Sequence, residues 1–591
     1  MADCLEHRGP DDSGVWTSPA GNVALSHRRL SIVDLSPLGH NPMPWDGGRL
    51  WITFNGEIYN FLELRRELES AGYRFRSQTD TEVILAAYDT WGLDSIHRFA
   101  GMFAFAIWDD ARQRLWLVRD RLGKKPVYYS EYGGLLRFAS ELKSLVKDGG
   151  LARDISLASI RLYLQYGYVP SPATIYTHVH KLPPAHQLTW EKGVTRVTRY
   201  WDPLAFALSP EGRPSGDLAR ELEQRLALAV GQRMIADVPL GAFLSGGIDS
   251  SLVVAMMQEQ SRSPVRTFTI RFADREFNEA DHAAAVAKHL GTEHHEQSCD
   301  EADMLDVVHR LPAMFDEPFA DSSAVPTYLV SRAARAHVTV ALSGDGGDEL
   351  FAGYPRYVHH ANGQWLLGQP KIVRRSLARV ADLMPTRRLR RIGQILRSDD
   401  GDTYARFVTW WRQDEIEAAT GSRSGSPQLY AEVLARTGRV DPTERPLLLD
   451  LVSYLPEDIL TKVDRASMAV SLEVRAPLLD HRVVELALAL PASMKRVGNR
   501  TKIALRDLLY KRVPRALIDR PKMGFGVPLE RWMRGPLRAD MDRCCTGPDL
   551  ERLGLNPAPA RRLWDEFIAG HSRRADQVWQ LYILLAWSRQ N

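Results

Sequence analysis

Apolar and polar positions alternate in short runs through the first third of the chain, then give way to longer three- and four-residue spacings. Gly48–Phe54, Met102–Trp108, Arg114–Val118 and Leu135–Ala139 carry β-branched or aromatic residues between turn signals, which predicts strands. Phe61–Ala71 and Thr81–Trp91 space their apolar residues as helices do. This part closes near Arg196–Pro203, and the polar, Pro/Gly-bearing stretch Ser209–Gly216 predicts a linker, so the chain divides near residue 205. Beyond it, Asp217–Met234 predicts a long helix. Val238–Leu244 predicts a short strand that runs through a Gly/Ser loop into a helix over Ser250–Glu259. Val265–Phe272 and Val338–Leu342 predict further strands, with helical Asn278–Leu290 between them. Strands alternating with helices, with glycine loops at their C-terminal ends, predict a parallel sheet wrapped by helices. The remainder, to Asn591, reads mainly as helices.

Composition narrows the function classes. A chain of 591 residues holds more than one domain, and 76 Lys+Arg against 73 Asp+Glu leave a net charge of only +3. No polyanionic partner is called for. The arginine-rich stretch Lys371–Arg397 lacks interleaved aromatics and reads as a solvated helical surface, so no nucleic-acid partner is expected. The cysteines, Cys4, Cys299, Cys544 and Cys545, form no CxxC, which points to a reducing compartment. There is no run of eighteen apolar residues, and the first residues, MADCLEHRGPDD, are polar and acidic where a signal peptide is basic and then apolar. A cytoplasmic protein without a membrane partner is expected.

The sharpest chemical signal is FLSGGIDSS, Phe243–Ser251, at a strand-to-helix junction. Glycines let backbone approach an anion, and the following helix aims unpaired N–H groups at it. Asp249 repels phosphate directly, so an acid there suggests Mg²⁺ shared between carboxylate and phosphate oxygens. A second loop, LSGDGGDELFAGY (Leu342–Tyr354), presents Asp345, Asp348 and Glu349 after its own strand. Two such loops at the ends of parallel strands face one crevice, where Asp249 and Asp348 can share the metal. The competing reading of FLSGGIDSS is a tight turn of small polar residues. No GxxxxGK[ST] occurs, so this is not a Walker loop.

With these loops, DEPFADSSAVPTYLVSR (Asp316–Arg332), DRASMAVSLEVRAPLLD (Asp464–Asp480) and RPKMGFGVPLERW (Arg520–Trp532), the chain resembles the glutamine-hydrolysing asparagine synthetases. The resemblance implies an α/β multidomain fold: an N-terminal Ntn-type αββα sandwich over 1–205, and over 206–591 a parallel-sheet ATP pyrophosphatase domain with a helical C-terminal extension. It implies an ATP-dependent, AMP- and pyrophosphate-forming amide ligase with ATP and Mg²⁺. The expected product is asparagine, made from aspartate through β-aspartyl-AMP with ammonia from glutamine. Phe243, Ser245, Gly246, Gly247, Asp249 and Ser250 correspond to the pyrophosphate loop, and Ile270, Ser343 and Gly344 to nucleotide contacts. Lys502 matches a lysine that stabilises charge on the phosphate, and metal ligation falls to Asp249 and Asp348. Asp345 departs from the family, many members of which carry glutamate there, and this leaves a sugar acid or other metabolite as an alternative acceptor. A catalytically inactive scaffold is the alternative of another class.

HRGPDDSG (His7–Gly14), SHRRLSIVDL (Ser26–Leu35), FNGEIYN (Phe54–Asn60) and SQTDTEVIL (Ser77–Leu85) resemble a class II glutamine amidotransferase. The resemblance implies that Arg29, with Leu30, Ile32 and Val33, binds the glutamine carboxylate end, and that Glu57 and Asp80 hold its amino end. It also implies that Asn55 and the Gly56 N–H form the oxyanion hole; the competing reading of Asn55–Gly56 is a hairpin turn. The family nucleophile is an N-terminal cysteine. Cys4 is not expected to replace it, since it sits in the segment leading to His7 without a free α-amine. Either the true start lies upstream or the protein lacks glutaminase activity; the chain as it stands is expected to use free ammonia. Family members commonly pair as homodimers.

Overall fold

In the computed structural model the first third builds sheets from antiparallel strands. The structure describes residues 1–208, 216–272, 274, 278–367, 369–383, 393, 396, 404, 407–422, 430–438, 440–520, 526–545 and 547–590. The expected linker Ser209–Gly216 therefore lies outside the described residues except for Gly216, as do residues 521–525 of the Arg520–Trp532 motif and much of 384–397.

The first strands are β1 (Asp12–Thr17), β2 (Ala24–Arg29), β3 (Met43–Trp45), β4 (Leu50–Ile58), β5 (Gly101–Asp109) and β6 (Arg114–Arg119). They are followed by β7 (Tyr128–Tyr132), β8 (Leu135–Ala139), β9 (His180–Lys181), β10 (His186–Glu191) and β11 (Val194–Arg199). A six-stranded antiparallel sheet runs β11-β10-β6-β5-β4-β3. Strand alternation divides its side chains: Phe103, Phe105 and Ile107 of β5 bury against helices Phe61–Ser70 and Asp80–Trp91, while Ala104, Ala106 and Trp108 pack on the other face with Leu25, Val127 and Leu182. That second face is covered by the β1-β2 hairpin and the small sheet β8-β7-β9.

The second part contains five parallel strands, β12 (Leu240–Phe243), β13 (Arg266–Phe272), β14 (Glu293–Cys299), β15 (Val340–Leu342) and β16 (Glu473–Arg475), in the order β14-β13-β12-β15-β16. Their order reverses between β12 and β15. Helices Leu218–Arg233 and Ile248–Gln260 bury apolar side chains with Ala242, Leu244, Val340 and Leu342, whereas Glu301–Phe315 and Ala324–Arg335 do so with Phe268, Ile270 and Ala341. The sheet is thus covered on both faces, as a parallel sheet requires. Helices dominate the C-terminal region, ending in the largely buried Ala575–Gln590.

One core crosses the expected boundary near 205. Residues of Leu157–Tyr166 pack with the C-terminal helix, where the Tyr163 hydroxyl donates to the Gln580 carbonyl at 2.8 Å. A buried ion network adds to it: Arg8 donates to Asp464 at 2.8 and 3.0 Å and to Glu141 at 2.9 Å, and Arg465 pairs with Glu141 at 2.7 Å and Asp316 at 3.3 Å. Fully buried charges such as these are costly unless mutually paired, so they fix how His7–Gly14 sits against Asp464–Met468. Helix Lys371–Leu383 exposes Arg375 and Arg379, but also the apolar Ile372, Val373, Leu377 and Val380. Among the described residues no helix is long and apolar enough to cross a membrane.

Candidate functional site

The two glycine loops leave adjacent, directly paired strands: Ala242 of β12 stands opposite Leu342 of β15. They open into a cavity of about 960 Å³ lined by Phe243, Ser245, Gly247, Asp249, Ser250, Ser343, Gly344, Asp345, Asp348 and Lys502. It lies at the C-terminal ends of the strands where the sheet order reverses, the place at which open α/β sheets take ligands. The glycines are required by contact. A Cβ on Gly344 would fall 2.7 Å from the Ser250 nitrogen, and one on Gly347 would fall 2.4 Å from the Asp249 carboxyl carbon. Gly246, at φ +71°, turns the first loop against the helix Ala280–Leu290 and does not itself line the cavity. Ile270 packs into the apolar core, and its neighbours Phe268 and Thr269 line the cavity instead.

Ser245 and Ser250 place their hydroxyls 3.0 Å apart, and the Gly247 N–H donates to Ser245 Oγ at 3.3 Å. Gly247 begins the helix Ile248–Gln260, whose first turn carries Asp249. The Lys502 ammonium donates to the Asp249 carboxylate and lies 2.8 Å from Asp348 Oδ1. Burial lowers the lysine's proton affinity, but the two carboxylates outweigh it and hold Lys502 above its ordinary value. Two carboxylates thus converge on one cation position. The donors are hard oxygens, and such a pair suits a divalent ion that takes its other ligands from phosphate and water, as Mg²⁺ does. Among the described residues no group of three or more His, Cys, Asp or Glu side chains forms a metal cage.

Asp345 accepts from Ser343 Oγ at 2.6 Å, and burial raises its carboxyl above the usual range against that hydrogen bond. It also borders a void of about 20 Å³ that reaches Met102, Lys124 and Lys125 of the first part. Glu349, raised to about 7 by burial and by Asp348, accepts from the Tyr354 hydroxyl at 2.7 Å. Three cavity groups had no assigned role in the sequence: Asp321 and Lys462, paired at 2.8 Å, and Arg520, which donates to the Ser245 carbonyl at 3.2 Å. Asp321 and Arg520 belong to the motifs Asp316–Arg332 and Arg520–Trp532, but only the fold turns them inward.

A second cavity, of about 730 Å³, lies in the first part. Arg29, Leu30, Ile32 and Val33 line it, as do Asn55, Gly56, Glu57 and Asp80. The buried Arg29 guanidinium donates to the carbonyls of Val33, Asp34 and Ser36, and among the described residues it pairs with no carboxylate. Asn55 Nδ2 is buried without a hydrogen-bond partner among the described residues. Asn55 and Gly56 are not a hairpin turn: they lie within β4, opposite Ala104 and Phe103. Gly56 has φ +141°, and a Cβ there would fall 2.1 Å from the Met102 carbonyl oxygen. Asp80 begins its helix and accepts from the Ile58 N–H at 2.8 Å; burial, with Glu473 nearby, raises it to about 7. Cys4, in the 3₁₀ turn Ala2–Leu5, is not among the lining residues. Met468 and Glu473, from the second part, are.

Fold and sites together define a two-part protein, in which an amidotransferase-type N-terminal part is joined to a parallel-sheet nucleotide-site part. Residues 221–589 match the asparagine synthase family and residues 1–201 the glutamine amidotransferase domain family. The chain belongs to the asparagine synthase family of glutamine-hydrolysing asparagine synthetase-like proteins. It is 35% identical over 602 aligned positions to a putative glutamine-hydrolysing asparagine synthetase of Mycobacterium tuberculosis, covering 99% of this chain and 92% of that one. Glutamine-hydrolysing asparagine synthetase 1 of Bacillus subtilis is 31% identical, with 100% and 93% covered. Amidase chry2 of Gibberella zeae is 27% identical, with 94% and 88% covered.

Proposed function

We propose that the protein is an ATP-dependent amide ligase that forms asparagine from aspartate, releasing AMP and pyrophosphate, with ammonia as the nitrogen donor, drawn from glutamine in the glutamine-hydrolysing family and taken up free by the chain as it stands. The observation that carries this reading is the meeting of Asp249, Asp348 and Lys502 between two glycine loops at the reversal of the parallel sheet. Residues 1–205 serve as an Ntn-type glutaminase domain and 206–591 as the ATP pyrophosphatase domain. ATP lies with its phosphates on the Ser245–Ser250 loop and on Ser343 and Gly344. Asp249 and Asp348 are the residues that would hold Mg²⁺, which would supply charge neutralisation on the triphosphate. The aspartate side-chain carboxylate attacks the α-phosphorus and pyrophosphate leaves, with Lys502 as the fixed cation beside the departing charge. Ammonia then attacks the acyl carbon and AMP departs, with Asp345 placed to accept the proton lost by the attacking amine. In the other cavity, Arg29 pairs with the glutamine carboxylate, a geometry guanidinium favours. Glu57 and Asp80 face its ammonium, and the partnerless Asn55 amide with the Gly56 N–H waits for an oxyanion. The void of about 20 Å³ bordered by Asp345, Lys124 and Met102 supports a path for ammonia from the first part towards Asp345. Four unbridged cysteines suit a reducing, cytoplasmic setting.

The test is AMP and pyrophosphate formation by the full chain with ATP, Mg²⁺, ammonium and aspartate, alongside ATP–pyrophosphate exchange scanned over other carboxylates. Aspartate-dependent turnover is expected. Exchange driven by a sugar acid or another metabolite but not by aspartate would move the acceptor and keep the ligase; none with any acid would leave a scaffold.

A further inference from the structure

The glutamine-binding side chains Arg29, Asn55, Glu57 and Asp80 all belong to the first part, yet one wall of their cavity comes from the edge strand β16 of the other sheet. Glu473 lines that cavity and is only 6% exposed. Two residues on, Arg475 is completely buried. Its guanidinium donates from Nε to Glu473 at 2.8 Å and from Nη1 to the carbonyls of Arg233 and Ile235 at 2.9 and 2.7 Å. Nη2 lies 3.1 Å from Glu57 Oε1, off the hydrogen-bonding direction, so this last contact is an ion pair. The guanidinium is therefore pinned by fixed backbone of the second part, and it presents its remaining charge to a carboxylate of the first.

We propose that the ligase sheet completes the glutamine pocket: Arg475 is a positioning residue that holds Glu57 in place, and Glu473 supplies a third carboxylate facing the ligand's α-ammonium. This rests on reading the cavity as a glutamine site. Charge counting supports it. Glu57, Asp80 and Glu473 gather in a buried wall where Arg475 pairs directly with Glu57 and Glu473, and where Lys125 acts on Glu57 but is itself paired with Asp464 at 3.5 Å; the wall is short of positive charge, and an amino acid's ammonium supplies it. Burial first, then the neighbouring Asp80 and Glu473, raise Glu57, and Arg475 and, to a smaller extent, Lys125 oppose them without cancelling the rise, as expected of an acid-rich wall awaiting a cation. Arg29, read as the partner of the carboxylate, lines the same cavity, so both charges of an amino acid's zwitterionic head find an opposite charge in it. The same strand also touches the ligase site: the Ser343 N–H donates to the Arg475 carbonyl at 2.9 Å.

The experiment uses the full chain and compares binding, by calorimetry, of L-glutamine with glutaramic acid, which is glutamine without its α-amino group. The unsubstituted chain is expected to prefer glutamine. Arg475→Met is expected to weaken glutamine about 10- to 100-fold, the size of a lost charge-assisted contact, and to leave glutaramic acid within about 3-fold, so the preference collapses. Arg475→Lys is expected to restore part of it. Glu473→Gln, which keeps the arginine and its backbone bonds, is expected to lower the preference about 5- to 10-fold and serves if Arg475→Met does not fold. General damage to the fold would weaken both ligands alike, and an unchanged preference in Glu473→Gln, or equal losses for both ligands, overturns the proposal. The glutamine reading itself is tested separately by the unsubstituted chain and Arg29→Ala: if the former binds no glutamine, or the latter binds it as tightly, that reading falls, and the proposal with it.

Discussion

Lys502 and Asp348 meet at 2.8 Å, and the same ammonium also holds Asp249, so residues from three distant stretches of chain share one charge centre. Lys502 reaches it from a left-handed backbone position, φ +56°, immediately before the helix Ile503–Tyr510. Replacing Lys502 with Met leaves two carboxylates facing each other, and removes the cation expected to steady the leaving pyrophosphate. Ammonia-dependent AMP formation should fall by about 10²- to 10³-fold, with Lys502→Arg retaining part of the rate. Undiminished turnover in Lys502→Met would remove this lysine from the chemistry.

Gly347 makes a prediction about shape. Because its Cβ would overlap the Asp249 carboxylate, Gly347→Ala should destabilise the protein by about 1–3 kcal/mol and weaken ATP binding. Gly363, in the helix Pro355–Leu367, has nothing near its Cβ position, so Gly363→Ala should raise stability by about 0.5–1 kcal/mol. Thermal melts and nucleotide titrations of the two variants measure the contrast; loss of stability in Gly363→Ala alone would contradict it.

Asp80 makes a prediction about pH. Burial raises it to about 7, while an unfolded aspartate titrates near ~3.9. Its contribution to stability is whole below pH ~4 and is lost as pH rises through about 7, because the folded state keeps a proton that the unfolded chain has shed. Asp80→Asn should therefore gain in melting temperature over the parent at pH 8 and show little such gain at pH 4. Glutamine affinity should run the other way: it should rise as pH climbs through about 7 in the parent, and that slope should flatten in the variant. A parent whose affinity is level from pH 6 to 8 would contradict the assigned role.

Asp345 separates the two half-reactions. It accepts from Ser343 Oγ at 2.6 Å and borders both the cavity between the glycine loops and the small void, which is why the amine step is proposed for it. Asp345→Asn should slow amide formation about 10²-fold and disturb ATP–pyrophosphate exchange less. Equal losses in both assays would assign it to adenylate formation instead.

The elements legible in the sequence were those whose own residues carry the period. Leu135–Ala139 is a strand as expected, Phe61–Ser70 and Asp80–Trp91 are helices, and β12, β13 and β15 are strands, with glycine loops after β12 and β15 that marked them. Asn55–Gly56 misled in isolation because its turn preference is local, whereas pairing with β5 holds it mid-strand.

By itself the sequence determined the class of chemistry: Ser245–Ser250 and Asp345–Glu349 hold the required side chains and glycines within a few residues, so local turn geometry suffices to display them. Only the tertiary structure decided which residues share a site. β14 (Glu293–Cys299) is a polar edge strand, and β16 is three residues long; neither shows a period, and each exists because a neighbouring strand supplies its hydrogen bonds. That pairing brings Glu473 to the cavity of the first part and Arg475 to Glu57 on its wall, and tertiary packing brings Lys502 to two aspartates far away in sequence. Electrostatic partnership depends on distance in space, and no spacing along a chain encodes it across hundreds of residues.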